Sequence, residues 1–228
     1  MNVPYIYATN TEGEHASAII MLPDVFGQTD YAKATADALA KRFARPVFLL
    51  DYFYELTGVP NVFAQDKFDD IRPIMEQMTG QHFVEIWGQM MGEITKAHPA
   101  IEHFGVIGFC FGGRLTYLAA LDPKVDHLMS FYGAGANNPF YKGKTSIEAL
   151  IEARRDDKNL HVISFYGTQD ESIPPEDRAA TEQALTEAEI DYQAREYDAG
   201  HAYFQAGRPS HDQAAAEKSW ADLETFLR

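Results

Sequence analysis

Along most of the chain apolar residues come in short unbroken blocks and do not alternate one by one with polar residues. Ala18–Leu22, Pro46–Leu50, Gly105–Phe109, Leu128–Tyr132 and Leu160–Tyr166 are such blocks. Their length is that of a strand, and a block that is apolar at every position is a strand covered on both faces. Asp191–Tyr197 shares their aromatic character but is more polar, which predicts a peripheral strand. Between the blocks the spacing changes to that of a helix: Phe83, Ile86, Trp87, Met90, Met91 and Ile94 recur every three or four residues and form one stripe. A methionine and aromatic stripe of this kind packs against a sheet or lines a ligand cavity. A first helix is predicted after a cap at Thr29 or Asp30, with Tyr31, Ala34, Ala38 and Leu39 inward, and a last helix carries Ala216, Trp220, Leu223 and Leu227. Further helices are predicted after Phe111 and Pro175.

Strands alternating with helices predict an α/β protein with a mostly parallel central sheet and helices on both faces. Chemistry in such sheets gathers at the loops leaving the carboxyl ends of the strands. With 228 residues and no Gly/Ser-rich linker, repeat or low-complexity run, the chain is expected to form a single domain spanning 1–228.

Charge narrows the partners. Nineteen Lys and Arg against 34 Asp and Glu leave a net charge of -15, which repels phosphate backbones and anionic headgroups. Neither nucleic acid nor membrane is expected as a partner, and no apolar run has the length of a membrane span. The opening MNVPYIYATNTEGEH lacks a basic region ahead of an apolar stretch, so no secretory signal is expected. The single cysteine has no internal disulfide partner and suits a reducing compartment. A cytoplasmic protein, monomeric or a small homo-oligomer, is the expectation.

That cysteine, Cys110, lies in GVIGFCFGGR, directly after a predicted strand and directly before a helical pattern. A residue at so sharp a strand-to-helix turn adopts a strained conformation, and its neighbours Gly108 and Gly112 must be small to avoid collision. This is the pattern of a nucleophile elbow with cysteine in place of serine. The sulfur would project above the sheet, the helix N-terminus would favour a thiolate, and the Phe111 amide would face a developing oxyanion. A base and a group to orient it are then required. Asp170, in YGTQDESIPPED, and His201, in YDAGHAYF, each follow a predicted strand. Of the other seven histidines, His161 reads as a strand residue and the rest have no comparable loop context. The loop LPDVFGQTD after the first strand would supply a second oxyanion amide, assigned to Val25, and beside it Asp24 could hold or relay a proton near the thiol.

With these residues in hand, the chain resembles the dienelactone hydrolase family of α/β hydrolases. PDVFGQTDYAKATADALAKRF, GVIGFCFGGR, FYG, GTQDESIPPEDRAATEQAL and YDAGHAYF occur in family order over nearly the whole chain. The resemblance implies an α/β-hydrolase fold without a large cap domain, with Cys110, Asp170 and His201 as catalytic triad. Asp24 falls where the dienelactone-cleaving members carry a glutamate that influences the thiol's charge, and aspartate is one methylene shorter. Where those members have an arginine for the substrate carboxylate, four residues after the histidine, this chain has Gln205. Arg208 or Arg72 are the alternatives, and Tyr132 and Phe26 are candidates for the pocket wall, with plain packing an equal reading of Tyr132.

The expected activity is hydrolysis of a small ester or lactone through a thioester, with no cofactor and no metal, since HExxH and paired CxxC spacings are absent. Two rivals remain open: a small-ligand receptor on the same fold, and a cysteine-elbow amidotransferase, although Tyr203 stands where that chemistry has a glutamate. GKT at Gly143–Thr145 resembles a phosphate loop, but Asn138 takes the place of its first glycine and a surface turn is expected.

Overall fold

The computed structural model describes residues 5–64 and 66–227. Its strands are β1 (Ile6–Thr9), β2 (Ser17–Leu22), β3 (Val47–Leu50), β4 (His103–Phe109), β5 (Val125–Phe131), β6 (Pro139–Tyr141), β7 (Lys144–Thr145), β8 (His161–Gly167) and β9 (Asp191–Tyr197). The helices are α1 (Asp30–Phe43), α2 (Tyr54–Thr57), α3 (Phe68–Gln77), α4 (Gly80–Ala97), α5 (Phe111–Ala119), α6 (Ser146–Arg154), α7 (Pro175–Glu187) and α8 (Gln213–Phe226). Seven strands form one sheet in the order β1-β3-β2-β4-β5-β8-β9, and β6 pairs with β7 as a separate hairpin. Every pairing in the large sheet is parallel except β1 with β3. All six predicted strands are present, and the polar one, β9, lies at an edge as its composition implied.

The unbroken apolar blocks are explained by a core on each side of the sheet. Ile20, Leu22, Phe48, Leu50, Val106, Leu128 and Val162 point one way, where they meet Phe83, Ile86, Trp87 and Met90 of α4 and Leu115 of α5. Their strand neighbours Ile19, Met21, Val47, Leu49, Ile107, Met129 and Ile163 point the other way, onto α1 and α8. The methionine and aromatic stripe of α4 is therefore packing. Each fully buried aliphatic side chain contributes about 1.5–3 kcal/mol of transfer free energy.

Helix ends follow their capping residues. Thr29 accepts from Ala32 N–H at the start of α1, and Asp212 accepts from Ala215 N–H at the start of α8. The inward face of α1 differs from the expected one: Ala32, Ala36, Leu39 and Ala40 are buried, whereas Ala34 and Ala38 face outward. Alanines on nearly every face of this helix left its stripe ambiguous. The GKT turn joins β6 to β7, with Gly143 at φ 77°, and Thr145 then caps α6 in a reciprocal box with Glu148. It is a hairpin turn and a helix start.

Among the described residues no helix is long and apolar enough to cross a membrane.

Candidate active site

Cys110 leaves the end of β4 at φ 55° and ψ -119°, a left-handed conformation that an L-residue adopts only when its surroundings enforce it. Here the enforcement is visible. Its N–H donates to Phe131 O at 3.0 Å, while its carbonyl accepts the first helical bond from Arg114 N–H at 3.1 Å. The flanking glycines are sterically obligatory: a Cβ on Gly108 would stand 2.2 Å from Gly112 O, and one on Gly112 would stand 2.2 Å from Pro23 O. This close approach lets α5 start directly against the Leu22 and Pro23 carbonyls at the end of β2.

Asp170 and His201 arrive from the neighbouring strands. Asp170 is buried in the turn after β8, where Ser172 N–H donates to its Oδ1 at 2.9 Å. Its other oxygen lies 2.7 Å from His201 Nδ1, which reaches it from the turn after β9. The Tyr132 ring packs edge-on against the imidazole, centroid to centroid 5.2 Å. Burial opposes a charge on His201, but the adjacent Cys110 and Asp170 outweigh it and push the imidazole up to about 10. The Cys110 sulfur lies close enough to the ring to favour its protonated form. The structure thus brings together three residues that lie far apart in the sequence.

Two backbone N–H groups are the candidate oxyanion donors. Phe111 begins α5 and Val25 lies in the turn after β2, and neither N–H donates a hydrogen bond among the described residues. The Val25 turn is held from several sides. Tyr52, at the end of β3, donates its hydroxyl to Pro23 O at 2.8 Å and lies 3.2 Å from Asp24 O. Asn61 O accepts from Gln28 N–H, and Asn61 itself is fixed by bonds from its N–H and side chain to the buried Asp51. Sequence reading missed Tyr52, Asp51 and Asn61. The one available signal was a carboxylate and an aromatic directly after the strand ending at Leu50.

Asp24 is buried and multiply bonded. Tyr31 Oη lies 3.1 and 3.0 Å from its two oxygens, Phe26 N–H donates to Oδ1 at 3.0 Å, and Arg208 Nη1 is 3.2 Å from Oδ2. Burial holds the pKa of Asp24 above the ordinary carboxylate value, with the Arg208 guanidinium, the Phe26 N–H and the Tyr31 hydroxyl acting against that rise, and the Asp24 carboxylate raises the pKa of Arg208 against its own burial.

The remaining pocket candidates separate. Phe26 packs under the Arg208 guanidinium at 4.8 Å. Tyr132 and Gln205 are fully buried, and neither the Tyr132 hydroxyl nor the Gln205 amide finds a partner among the described residues. Arg72 is not bonded to this cluster: it sits exposed on α3, paired with Asp69 at 3.1 Å and stacked on Phe68. Tyr203 is buried, its hydroxyl 3.0 Å from Ser219 Oγ, so the group orienting His201 is Asp170. An aromatic wall of Tyr52, Phe53 and Phe140 surrounds Phe111. Among the described residues no group of three His, Cys, Asp or Glu side chains is placed to hold a metal.

Comparison with known proteins identifies the family. Residues 5–228 match the model of the dienelactone hydrolase family. A Rhodococcus opacus carboxymethylenebutenolidase is 29% identical over 236 residues, covering 99% of this chain and 85% of its own. A Synechocystis protein assigned as a carboxymethylenebutenolidase is 28% identical over 215 residues, covering 92% of this chain and 85% of its own. A Klebsiella pneumoniae crystal structure assigned to the dienelactone hydrolases superposes with a TM-score of 0.81 at 20% identity, over 97% of this chain and 91% of the other. The mostly parallel sheet is thus that of the α/β hydrolases, and the chain belongs to the dienelactone hydrolase family.

Proposed function

We propose that this dienelactone hydrolase-like protein cleaves small esters or lactones with Cys110 as nucleophile, through a thioester acyl-enzyme. The observation that carries the reading is the convergence of Cys110, His201 and Asp170 at the carboxyl ends of β4, β9 and β8, with His201 Nδ1 2.7 Å from Asp170. With Nδ1–H committed to the carboxylate, Nε2 is the nitrogen left to exchange protons with the thiol and with water.

In the first half of the reaction the Cys110 sulfur attacks the carbonyl carbon while its proton resides on His201. The carbonyl oxygen becomes an oxyanion that accepts from the Val25 and Phe111 N–H groups. Collapse expels the alkoxide, which takes the proton from His201; in a lactone this alkoxide stays tethered to the acyl group. In the second half His201 removes a proton from water, the resulting hydroxide attacks the thioester, and the thiolate leaves to be reprotonated. Each N–H donor in such a hole is typically worth about 3–4 kcal/mol of transition-state stabilisation. The turn holding Val25 therefore bears on rate as directly as the triad does.

The test is turnover of 4-nitrophenyl acetate by the wild type and by Cys110→Ala. Wild-type hydrolysis that vanishes in the variant is expected. A variant that retains the wild-type rate would remove Cys110 from the mechanism.

A further inference from the structure

Resting on the reading just given, we propose that Asp51 is a positioning residue of the reaction. Its carboxylate clasps two arms of the chain, one paired to the turn that holds Val25 and one packed on Phe111, and so sets both candidate oxyanion donors. Asp51 and Asn61 are both buried, and neither belongs to the triad. Asp51 Oδ2 accepts from Asn61 N–H at 2.6 Å, both carboxylate oxygens accept from Asn61 Nδ2 at 3.0 Å, and Oδ1 accepts from Phe53 N–H at 3.2 Å. Burial raises the pKa of Asp51, and the donors from Asn61 and Phe53 act against that rise. A buried carboxylate requires such donors, and this one draws them from two separate segments.

The first arm is the loop carrying Asn61, whose side chain also donates to Thr57 Oγ1 at 3.0 Å and to Val59 O at 3.1 Å. Its backbone runs along the turn after β2. Asn61 O accepts from Gln28 N–H at 2.9 Å, Phe63 N–H donates to Phe26 O at 2.9 Å, and Gly27 bridges Val62. A Cβ on Gly27 would stand 2.2 Å from Asn61 O, so a shift of Asn61 moves Gly27. Gly27 in turn closes the turn around Val25, its N–H donating to Asp24 O at 3.1 Å. The second arm is Tyr52 and Phe53. The Phe53 ring stacks on Phe111 at 6.0 Å and the Tyr52 ring lies 6.1 Å from Phe111. A misplacement of about 1 Å at a reacting centre can cost about 10²-fold in rate, so a clasp on both arms bears on turnover without touching substrate.

The experiment compares two reactions of one thiol. Attack on 4-nitrophenyl acetate builds an oxyanion, whereas attack on iodoacetamide displaces iodide from a saturated carbon and builds none. Asp51→Asn turns one of the acceptors facing Asn61 into a donor. We expect kcat/KM for the ester to fall by about tenfold or more in this variant. The second-order rate of Cys110 alkylation should stay within about threefold of the wild type. Asn61→Ala, which keeps the Asp51 charge, should lower kcat/KM by about threefold or more with alkylation again unchanged, and it carries the test if Asp51→Asn does not fold. Wild-type ester hydrolysis in folded Asp51→Asn overturns the inference. So does a proportional fall in both reactions, which marks a general disturbance of the site. Failure of the underlying reading looks different: Cys110→Ala hydrolyses the ester at the wild-type rate.

Discussion

The His201 side chain ties the site's chemistry to the stability of the fold. Its pKa in the folded protein is pushed to about 10 by Cys110 and Asp170 acting against burial, whereas an unfolded chain offers an ordinary imidazole near about 6.5. Between those values the folded state binds the extra proton. The contribution is complete below about pH 6.5 and disappears as pH rises toward 10. Urea midpoints of the wild type and His201→Gln should therefore differ most near neutral pH and below, and converge in alkali; a gap that widened with pH would contradict the assigned charge pair. Tyr52 acts through backbone, donating to Pro23 O beside the Val25 turn. Tyr52→Phe should lower kcat by about tenfold with KM nearly unchanged, a fraction of the 10²–10³ typically lost with an oxyanion donor itself. An unaltered kcat would remove this positioning role. Cys110, Asp170 and His201, which the structure brings together, were legible as candidates because each occupies a turn or loop after a strand. Tyr52, Tyr31 and the Asp51–Asn61 pair were not, because an aromatic or acidic residue near a strand end reads as ordinary packing until the neighbouring loop is known.

The junction of β4 with α5 sets the geometry that the site depends on. Gly112→Ala would place a methyl 2.2 Å from Pro23 O and 2.4 Å from Leu22 O, both backbone atoms that cannot swing aside. A loss of about 1–3 kcal/mol in urea unfolding is expected, together with loss of esterase activity as the Val25 turn is pushed away. A fully active and stable variant would mean that the helix does not approach the loop this closely. The element pattern was readable where burial is extensive, in the apolar strands and the stripe of α4. It was not readable in β1, a short half-buried strand beside β3, nor in α3, which buries only Ile71 fully and contains Pro73. In both the tertiary neighbour, not the local pattern, supplies the structure.

At the scale of the whole molecule, the sheet order carries the chemistry. β4 lies in the middle of the sheet with β2 on one side and β5, β8 and β9 in succession on the other. Val25, Cys110, Asp170 and His201 thereby come to one edge, from four separate parts of the chain. That order follows from crossovers the sequence pattern does not specify; the alternation of strands and helices predicts the layers but not the order of strands within the sheet. The most direct measurement is peptide mapping by mass spectrometry after acid quenching of a 4-nitrophenyl acetate reaction in its first turnovers. An added acetyl mass on the peptide containing Cys110, absent from Cys110→Ala, is the predicted result. Steady turnover with the acetyl group on a different residue, or with Cys110 never acylated, would contradict it.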